Sequence, residues 1–412
     1  MLDFLTLDDV DLAGKTVLLR VDINVPVDRQ TLRISQSERL QAAAASLAEI
    51  AQRDAKVVAL AHQGRAGDYD FLPLDQHATV LQETLGSKFS FVDDTIGVAA
   101  RERIKALKPQ EMLLLQNVRF LAEEALDRIP EEHSKSILVQ RLSALADVFV
   151  NDAFSAAHRS QASLVGFTCT LPSVAGSTME KELRFDKQAF ENPKRPVVYF
   201  FGGSKPDDLV EAMQHALNKG TVDRVLTAGV LSQVCLLAQG VHIGDDATNF
   251  LKGEGYLTCL EDVKRLLGRF SEHIRVPVDV AYKRNDEREE RDLSHPSDDG
   301  VIVDIGGKTI DAYRSIINGA GTIVAKGPAG MYENRNYARG TKAVLEAIGS
   351  SHAFSLIGGG HTLSAIRELG IDEGEFSYVS LGGGAFIDYL SGKKLPVYEA
   401  LKQAAARYRA SR

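Results

Sequence analysis

The sequence predicts an α/β protein of two domains, each a parallel sheet covered on both faces by helices, and three observations predict it. The chain has 412 residues, too many for one hydrophobic core of ordinary size. Short runs rich in Val, Ile, Leu and Phe alternate with amphipathic stretches along its whole length. Nearly every such run ends in glycine or a polar residue, as strands do at the ligand-binding edge of an open parallel sheet.

In the first half TVLLRVD, KVVALAH, MLLLQN and DVFVND read as strands buried on both faces. SERLQAAAASLAEIAQR reads as a helix opened by a capping box of Ser35 and Glu38, and SKSILVQRLSALA as another helix. In the second half PVVYFFGG, RVLTAG, GVIVDIGG, TIVAKG, FSLIGGG and YVSLGGG read as strands, between helices such as PDDLVEAMQHALNK and GTKAVLEAIGS. Strands alternating with helices imply parallel sheets joined by right-handed crossovers. The boundary falls in LPSVAGSTMEKELRFDKQAFENPKRP, where Leu171, Pro172 and Gly176 punctuate the chain. A charged helix follows from about Met179 to Phe190, and Asn192 to Pro196 stops it. The expected domains are therefore 1–171 and 192–394, bridged by 172–191; the terminal amphipathic helix in 395–412 could be a simple end cap or could reach back to the first domain.

Composition narrows the function class. With 44% hydrophobic and 25% charged residues the chain is an ordinary globular protein. No uncharged apolar run reaches the roughly 18 residues of a membrane span. The acidic start MLDFLTLDDVDLAGK reads as neither signal nor transit peptide, which makes the cytoplasm the expected compartment. A net charge of -8 argues against a general nucleic-acid surface, so any bound anion must be held by local basic groups. Cys169, Cys235 and Cys259 lack metal or redox spacing and read as buried thiols.

The residues after the strands carry the chemistry. SLIGGGHTLSAIREL around Gly358, Gly359 and Gly360, and VSLGGGAFIDYL around Gly382, Gly383 and Gly384, each run from a strand through three glycines into a helix. Such a turn lets backbone N–H groups approach a phosphate and aims a helix dipole at it. One such turn could serve geometry alone; two at neighbouring strand ends point to phosphate. Lys205 in FFGGSKPDD would set an ammonium beside phosphate oxygens, and Glu333 in GPAGMYE could accept from ribose hydroxyls. The first half collects Arg20, Arg39, His62, Arg65, Arg119, His158 and Arg159, beside Asp22 and Asn24. Any of these arginines alone could be a surface ion pair; converging guanidinium groups suit a small, highly anionic substrate. GGKT at Gly306–Thr309 is no Walker motif, because Ile302 stands where the first glycine is required.

RVDINVP, AHQGR, LLLQNVRF, FVNDAFSAAHR, LPSVAG, GGSK, KGPAGMYE and the two glycine triads resemble phosphoglycerate kinase, in order and spacing, over essentially the whole chain. The HQGR, GPAG and GGGHT forms are most similar to its archaeal branch. The resemblance implies two Rossmann-like domains with a helical hinge and the terminal helix in 395–412 packing back on the first, and reversible transfer of the γ-phosphoryl group of MgATP to the carboxylate of 3-phosphoglycerate, giving 1,3-bisphosphoglycerate. It implies that Asp22, Asn24, Arg39, His62, Arg65, Arg119 and Arg159 bind the phosphoglycerate. It implies that Lys205, Glu333, Gly359, Gly360, His361 and Thr362 bind the nucleotide, and that Arg39, Lys205, Gly360 and Gly383 face the transferred group. A monomer or homodimer is implied, with no nucleic-acid or membrane partner.

Three positions depart from the family pattern. Leu209 stands where a second lysine usually lies, His361 where an acid usually helps hold magnesium, and Lys326 where asparagine usually precedes GP. The ligand set for a metal is therefore left open, and the ammonium of Lys326 is a candidate substitute for the missing lysine. Two alternatives to an active phosphoglycerate kinase follow: a weakened relative that only binds nucleotide or phosphoglycerate, and a kinase of another small phosphorylated acid. The hinge is expected near Leu171 to Arg184. Small-angle scattering should show a smaller radius of gyration when both substrates are bound; superimposable profiles would contradict a hinge motion.

Overall fold

In the computed structural model, which describes residues 2–35 and 37–411, the chain divides into two compact units. One comprises Met1–Leu183 with Lys394–Arg412, the other Arg184–Lys393. The first unit is built on β1 (Thr16–Arg20), β2 (Lys56–Leu60), β3 (Phe89–Phe91), β4 (Met112–Leu114), β5 (Val148–Asn151) and β6 (Ser173–Ala175). They form one wholly parallel sheet in the order β3-β4-β2-β1-β5-β6. Successive residues of a strand point to opposite faces. Val17 and Leu19 therefore pack with Leu47 and Ile50 of the helix Glu38–Gln52, while Leu18 packs with Leu138 and Phe149 in the other layer. Both faces are apolar and both are covered, as parallel sheets require.

The helix Glu38–Gln52 begins at Ser37, whose side chain accepts from the Arg39 N–H at 3.2 Å. The capping box expected at Ser35 is not the cap. The Ser35 N–H donates to the Pro26 carbonyl at 3.0 Å, which holds Ser35 in the preceding loop and starts the helix two residues later. The final helix, Pro396–Ala410, buries Ala405 in the core of this unit, and Arg407 donates to the Thr168 carbonyl at 2.8 Å. The Tyr398 hydroxyl donates to Asp3 at 2.6 Å. The charged helix spans Ser177–Phe190 and contains the point where the chain passes from one unit to the other.

The second unit repeats the layered plan. Its strands are β7 (Val197–Phe201), β8 (Arg224–Thr227), β9 (Ile274–Arg275), β10 (Asp279–Arg284), β11 (Glu287–Asp292), β12 (Val301–Ile305), β13 (Thr322–Lys326), β14 (Phe354–Gly358) and β15 (Tyr378–Ser380). Six make a parallel sheet in the order β15-β14-β13-β7-β8-β9. GVIVDIGG, read as another strand of that sheet, instead pairs antiparallel with β10 in a separate three-stranded sheet, β11-β10-β12. The cause is a hairpin. Asn285 and Asp286 take φ of 48° and 61°, and Arg284 closes on Glu287 across them, the two-residue turn that suits the twist of antiparallel strands. Among the described residues no helix is long and apolar enough to cross a membrane.

Candidate functional site

In the first unit the loops after β1, β2, β4 and β5 meet at the C-terminal edge of the sheet, and buried side chains bind them together. Gln63 clasps the loop after β1: its Nε2 donates to the Val25 carbonyl at 3.0 Å and its Oε1 accepts from the Val25 N–H at 2.9 Å. Asn117 ties the loop after β4 to the same place, donating to the carbonyls of Gln63 at 2.9 Å and Leu72 at 2.8 Å. Gly64 turns between them with φ of +65°, where a Cβ would lie 2.2 Å from the Asp70 carbonyl oxygen. Its N–H donates to Asn24 Oδ1 at 2.9 Å, and Arg119 donates to its carbonyl.

The predicted acid-binding residues converge on this frame. Arg39 pairs with Asp22 at 3.0 Å and donates to the Asn24 carbonyl at 3.0 Å; Ser155 donates to the same carboxylate. Arg159 donates to His158 at 3.2 Å. Arg65, Arg119 and Arg159 have no carboxylate within ion-pair distance among the described residues. They are close enough to act on one another: burial and then the neighbouring Arg159 and Arg20 push the Arg119 guanidinium down to about 10. Arg159 is likewise lowered, by burial and then by Arg65.

Arg20 is fully buried and is a strut rather than a contact surface. Its Nε donates to Ser163 Oγ at 2.9 Å, and Ser163 donates in turn to the buried carboxylate of Glu124. Its remaining arm reaches His62 Nδ1 at 2.9 Å. A guanidinium can only donate, so Nδ1 accepts and the imidazole proton sits on Nε2. Burial, then Arg20, Arg119, Arg159 and Arg39, hold His62 well below the usual histidine range. It offers a neutral N–H donor to the site, not a charge. Gln63, Ser163 and Glu124 were not singled out in the sequence. The bonds from Gln63 to Val25, from Arg20 to Ser163 and from Ser163 to Glu124 each span 38 or more residues, so no local pattern reports them.

The second unit builds its site from backbone. The turn after β7 interleaves with the turn after β13: the Gly202 N–H donates to the Lys326 carbonyl and the Gly203 N–H to the Pro328 carbonyl, both at 2.8 Å. A Cβ at Gly202 would lie 2.1 Å from the Pro328 oxygen, so only glycine permits the crossing. Thr362 joins the first glycine triad to this pair, accepting from the Gly327 N–H at 2.8 Å and donating to the Gly358 carbonyl at 2.8 Å. The helix Gly360–Glu368 starts there. The N–H groups of Thr362 and Leu363 return to the Gly359 carbonyl, leaving those of Gly360 and His361 without an acceptor among the described residues.

Gly203, Ser204, Glu333 and His361 line one cavity of about 260 Å³, with Val230, Phe250 and Met331 among its apolar walls. Lys326 lies beside it. Its stem would pass 3.4 Å from a Cβ on Gly359, and burial lowers its ammonium to about 8, with Asp208 opposing the shift and Lys205 adding to it. Leu209 is 1% exposed and belongs to the apolar core, so that position offers nothing to a phosphate. The second triad lies elsewhere. Gly382 to Gly384 follow the edge strand β15, Gly383 takes φ of +53°, and none of the three lines the cavity.

A family model for phosphoglycerate kinase matches residues 7–393. The chain belongs to the phosphoglycerate kinase family. It is 44% identical over 405 residues to the phosphoglycerate kinase of Methanothermobacter thermautotrophicus, with 97% of each chain covered. It is 42% identical to that of Methanococcus maripaludis, over 98% of this chain and 100% of the relative. Among solved structures, phosphoglycerate kinase from Pyrococcus horikoshii OT3 matches with a TM-score of 0.90 and 38% identity, over 98% of this chain and 99% of that one. The structure of phosphoglycerate kinase from Coxiella burnetii matches with a TM-score of 0.81 and 29% identity, over 98% and 100% of the two chains. The two-domain parallel α/β expectation is borne out, and the chain is an enzyme, a glycolytic kinase of the phosphoglycerate kinase family.

The depressed histidines of the acid-binding unit set its response to pH. His62 is held low as above, and burial lowers His77, whose Nε2 lies 3.1 Å from Gln63 Oε1, to about 4. Below about pH 6.5 the unfolded chain takes up protons that the native imidazoles refuse, so stability falls as pH drops through that point. Denaturant titrations should show up to about 1.4 kcal/mol lost per pH unit for each histidine between its unfolded and folded values. NMR should find the neutral Nε2–H form of His62 at pH 6; a charged imidazole there would contradict the tautomer assigned here.

Proposed function

We propose that the first unit binds 3-phosphoglycerate and the second binds MgATP, and that the enzyme moves the γ-phosphoryl group reversibly to the phosphoglycerate carboxylate. The observation that carries this reading is the set of guanidinium groups at Arg65, Arg119 and Arg159, which have no carboxylate within ion-pair distance among the described residues, with Arg119 and Arg159 lowered by burial and then by neighbouring arginines. Three uncompensated cations beside a neutral histidine donor make a receptor for a small multiply charged anion. The Asp22–Arg39 pair and Asn24 sit at its margin, placed to take the hydroxyl and carboxylate of the acid.

Phosphoryl transfer asks little covalent chemistry of a protein. It asks for alignment and for compensation of charge on the moving oxygens. Arg39, Lys205 and the free N–H of Gly360 are the groups we assign to that task. Gly383 joins them through the family resemblance alone. The cavity bounded by Glu333 and His361 takes the nucleoside part, with Glu333 accepting from ribose, and Gly359 to Thr362 takes the phosphates. Among the described residues no group of three or more His, Cys, Asp or Glu could hold a metal ion. Magnesium would arrive with the nucleotide, as part of the substrate. A cytoplasmic location accords with glycolysis.

In an assay coupled to reduction of the acyl phosphate, Arg119→Ala should raise KM for 3-phosphoglycerate about 10- to 100-fold, the loss of one or two charge-assisted hydrogen bonds. It should leave KM for ATP nearly unchanged, and Glu333→Ala should do the converse. A chain that binds ATP tightly but gives no turnover would instead be a weakened relative. Lys326 supplies a separate check. Its ammonium is the charged form that phosphate prefers, so nucleotide affinity should fall as pH rises through about 8. Lys326→Asn should abolish that limb and lower turnover about tenfold or more; unchanged turnover would show that Lys326 does not replace the lysine absent at Leu209.

A further inference from the structure

Two opposite charges of the first unit lie buried close together without touching. Arg20 and Glu124 are both wholly buried, and so is Ser163. A guanidinium and a carboxylate sealed from water gain most by direct, two-point contact. These two do not make it. Among the described residues no Arg20 nitrogen lies within ion-pair distance of a Glu124 oxygen, and the Ser163 hydroxyl stands between them. Its Oγ accepts from Arg20 Nε at 2.9 Å and its hydrogen goes to one carboxylate oxygen, while the Ser163 N–H donates to the other at 2.8 Å. Across this gap each charge still opposes the effect of burial on the other.

The spacing keeps the far end of the guanidinium free for other partners. With Nε on Ser163, Arg20 gives one arm to the Val21 carbonyl and the other to His62 Nδ1 at 2.9 Å. Directions along this chain of bonds are fixed. A guanidinium cannot accept, so Ser163 turns its hydrogen to the carboxylate and His62 accepts at Nδ1. The imidazole hydrogen is thereby set on Nε2, which has no acceptor among the described residues and is not sealed from solvent. Without the hydroxyl, attraction would close the two charges on each other and draw Arg20 away from His62. On the assignment of the first unit to phosphoglycerate, we propose that Ser163 is a positioning residue of the acid site, its hydroxyl holding Arg20 off Glu124 so that His62 keeps its Nε2–H form and donates to an oxygen of the phosphoglycerate. Buried as it is, Ser163 meets no substrate; it acts through Arg20 and His62, each bond polarising the next.

Ser163→Ala removes the hydroxyl and no charge, and forms the test. In the folded variant, NMR of the imidazole nitrogens near neutral pH should find both tautomers of His62, where the wild type has the Nε2–H form alone. KM for 3-phosphoglycerate should rise about tenfold, the loss of one hydrogen bond to a charged group, with KM for ATP unchanged. A lower melting temperature with tautomer and KM as in the wild type is what a merely structural serine gives, and it overturns the proposal. A changed tautomer that leaves KM where it was overturns it as well. Should the variant not fold, the wild type decides: a scalar coupling from an Arg20 guanidinium nitrogen to His62 Nδ1 supports the proposal, and its absence or an Nδ1–H tautomer overturns it. If the first unit does not bind the acid at all, Arg119→Ala leaves KM for 3-phosphoglycerate unchanged. If only the role of Ser163 is wrong, Arg119→Ala raises that KM while Ser163→Ala moves neither it nor the tautomer of His62.

Discussion

Five guanidinium groups gather at the C-terminal edge of one sheet, and their mutual repulsion is the constraint around which the first unit is organised. Burial and then neighbouring guanidinium groups push Arg119 and Arg159 down from the ordinary arginine range. The fold answers it unequally. Arg20 is taken wholly inside and compensated through Ser163 by the buried Glu124, and Arg39 is paired with Asp22. Arg65, Arg119 and Arg159 have no carboxylate within ion-pair distance among the described residues. The two paired arginines hold the loops; the other three would keep their charge for the anion proposed above. A neutral His62, braced by Arg20, adds a donor without adding to the repulsion.

The second unit meets the same kind of ligand without crowding cations. Its turns cross so closely that the N–H groups of Gly202 and Gly203 are spent on carbonyls of the neighbouring turn and that of Gly327 on the Thr362 hydroxyl, and glycine is what allows the approach. What remains for phosphate is the start of one helix and the ammonium groups of Lys205 and Lys326, with Asp208 in electrostatic reach of the latter. Burial lowers the Lys326 ammonium to about 8. A phosphate arriving beside it restores what desolvation removes, so charge on the protein and charge on the ligand reinforce each other.

Much of this was legible in the sequence because strands buried on both faces write themselves as short apolar runs, and the polar residue after each run marks the edge where ligands bind. All ten runs first read as strands are strands. The errors are of one physical kind. VIVDI has the composition of a parallel strand, but its partner is set by a hairpin whose outer strand, EREERD, is charged throughout and carries no apolar period. Ser35 and Ser37 are equally good caps by type, and a hydrogen bond from Ser35 to the Pro26 carbonyl chose between them. Gln63, Glu124 and Ser163 gain their meaning from partners distant in sequence.

The two glycine triads, alike in sequence, end as unlike devices. The first follows β14, which has a strand on each side, and is locked in place: Thr362 bridges it to the turn after β13, Lys326 lies across Gly359, and a nine-residue helix follows. The second follows an edge strand and leads into a helix of seven residues, Gly384–Leu390. A cradle fixed on both sides holds its N–H groups in place before the anion arrives, which is what makes preorganised dipoles effective on developing charge. With His361 in place of an acid, that first turn brings no negative charge toward the phosphates. On the nucleotide assignment proposed above, compensation there would depend on Lys205, Lys326 and the metal carried by the nucleotide, so a single buried ammonium would weigh more than it would beside a second lysine at position 209.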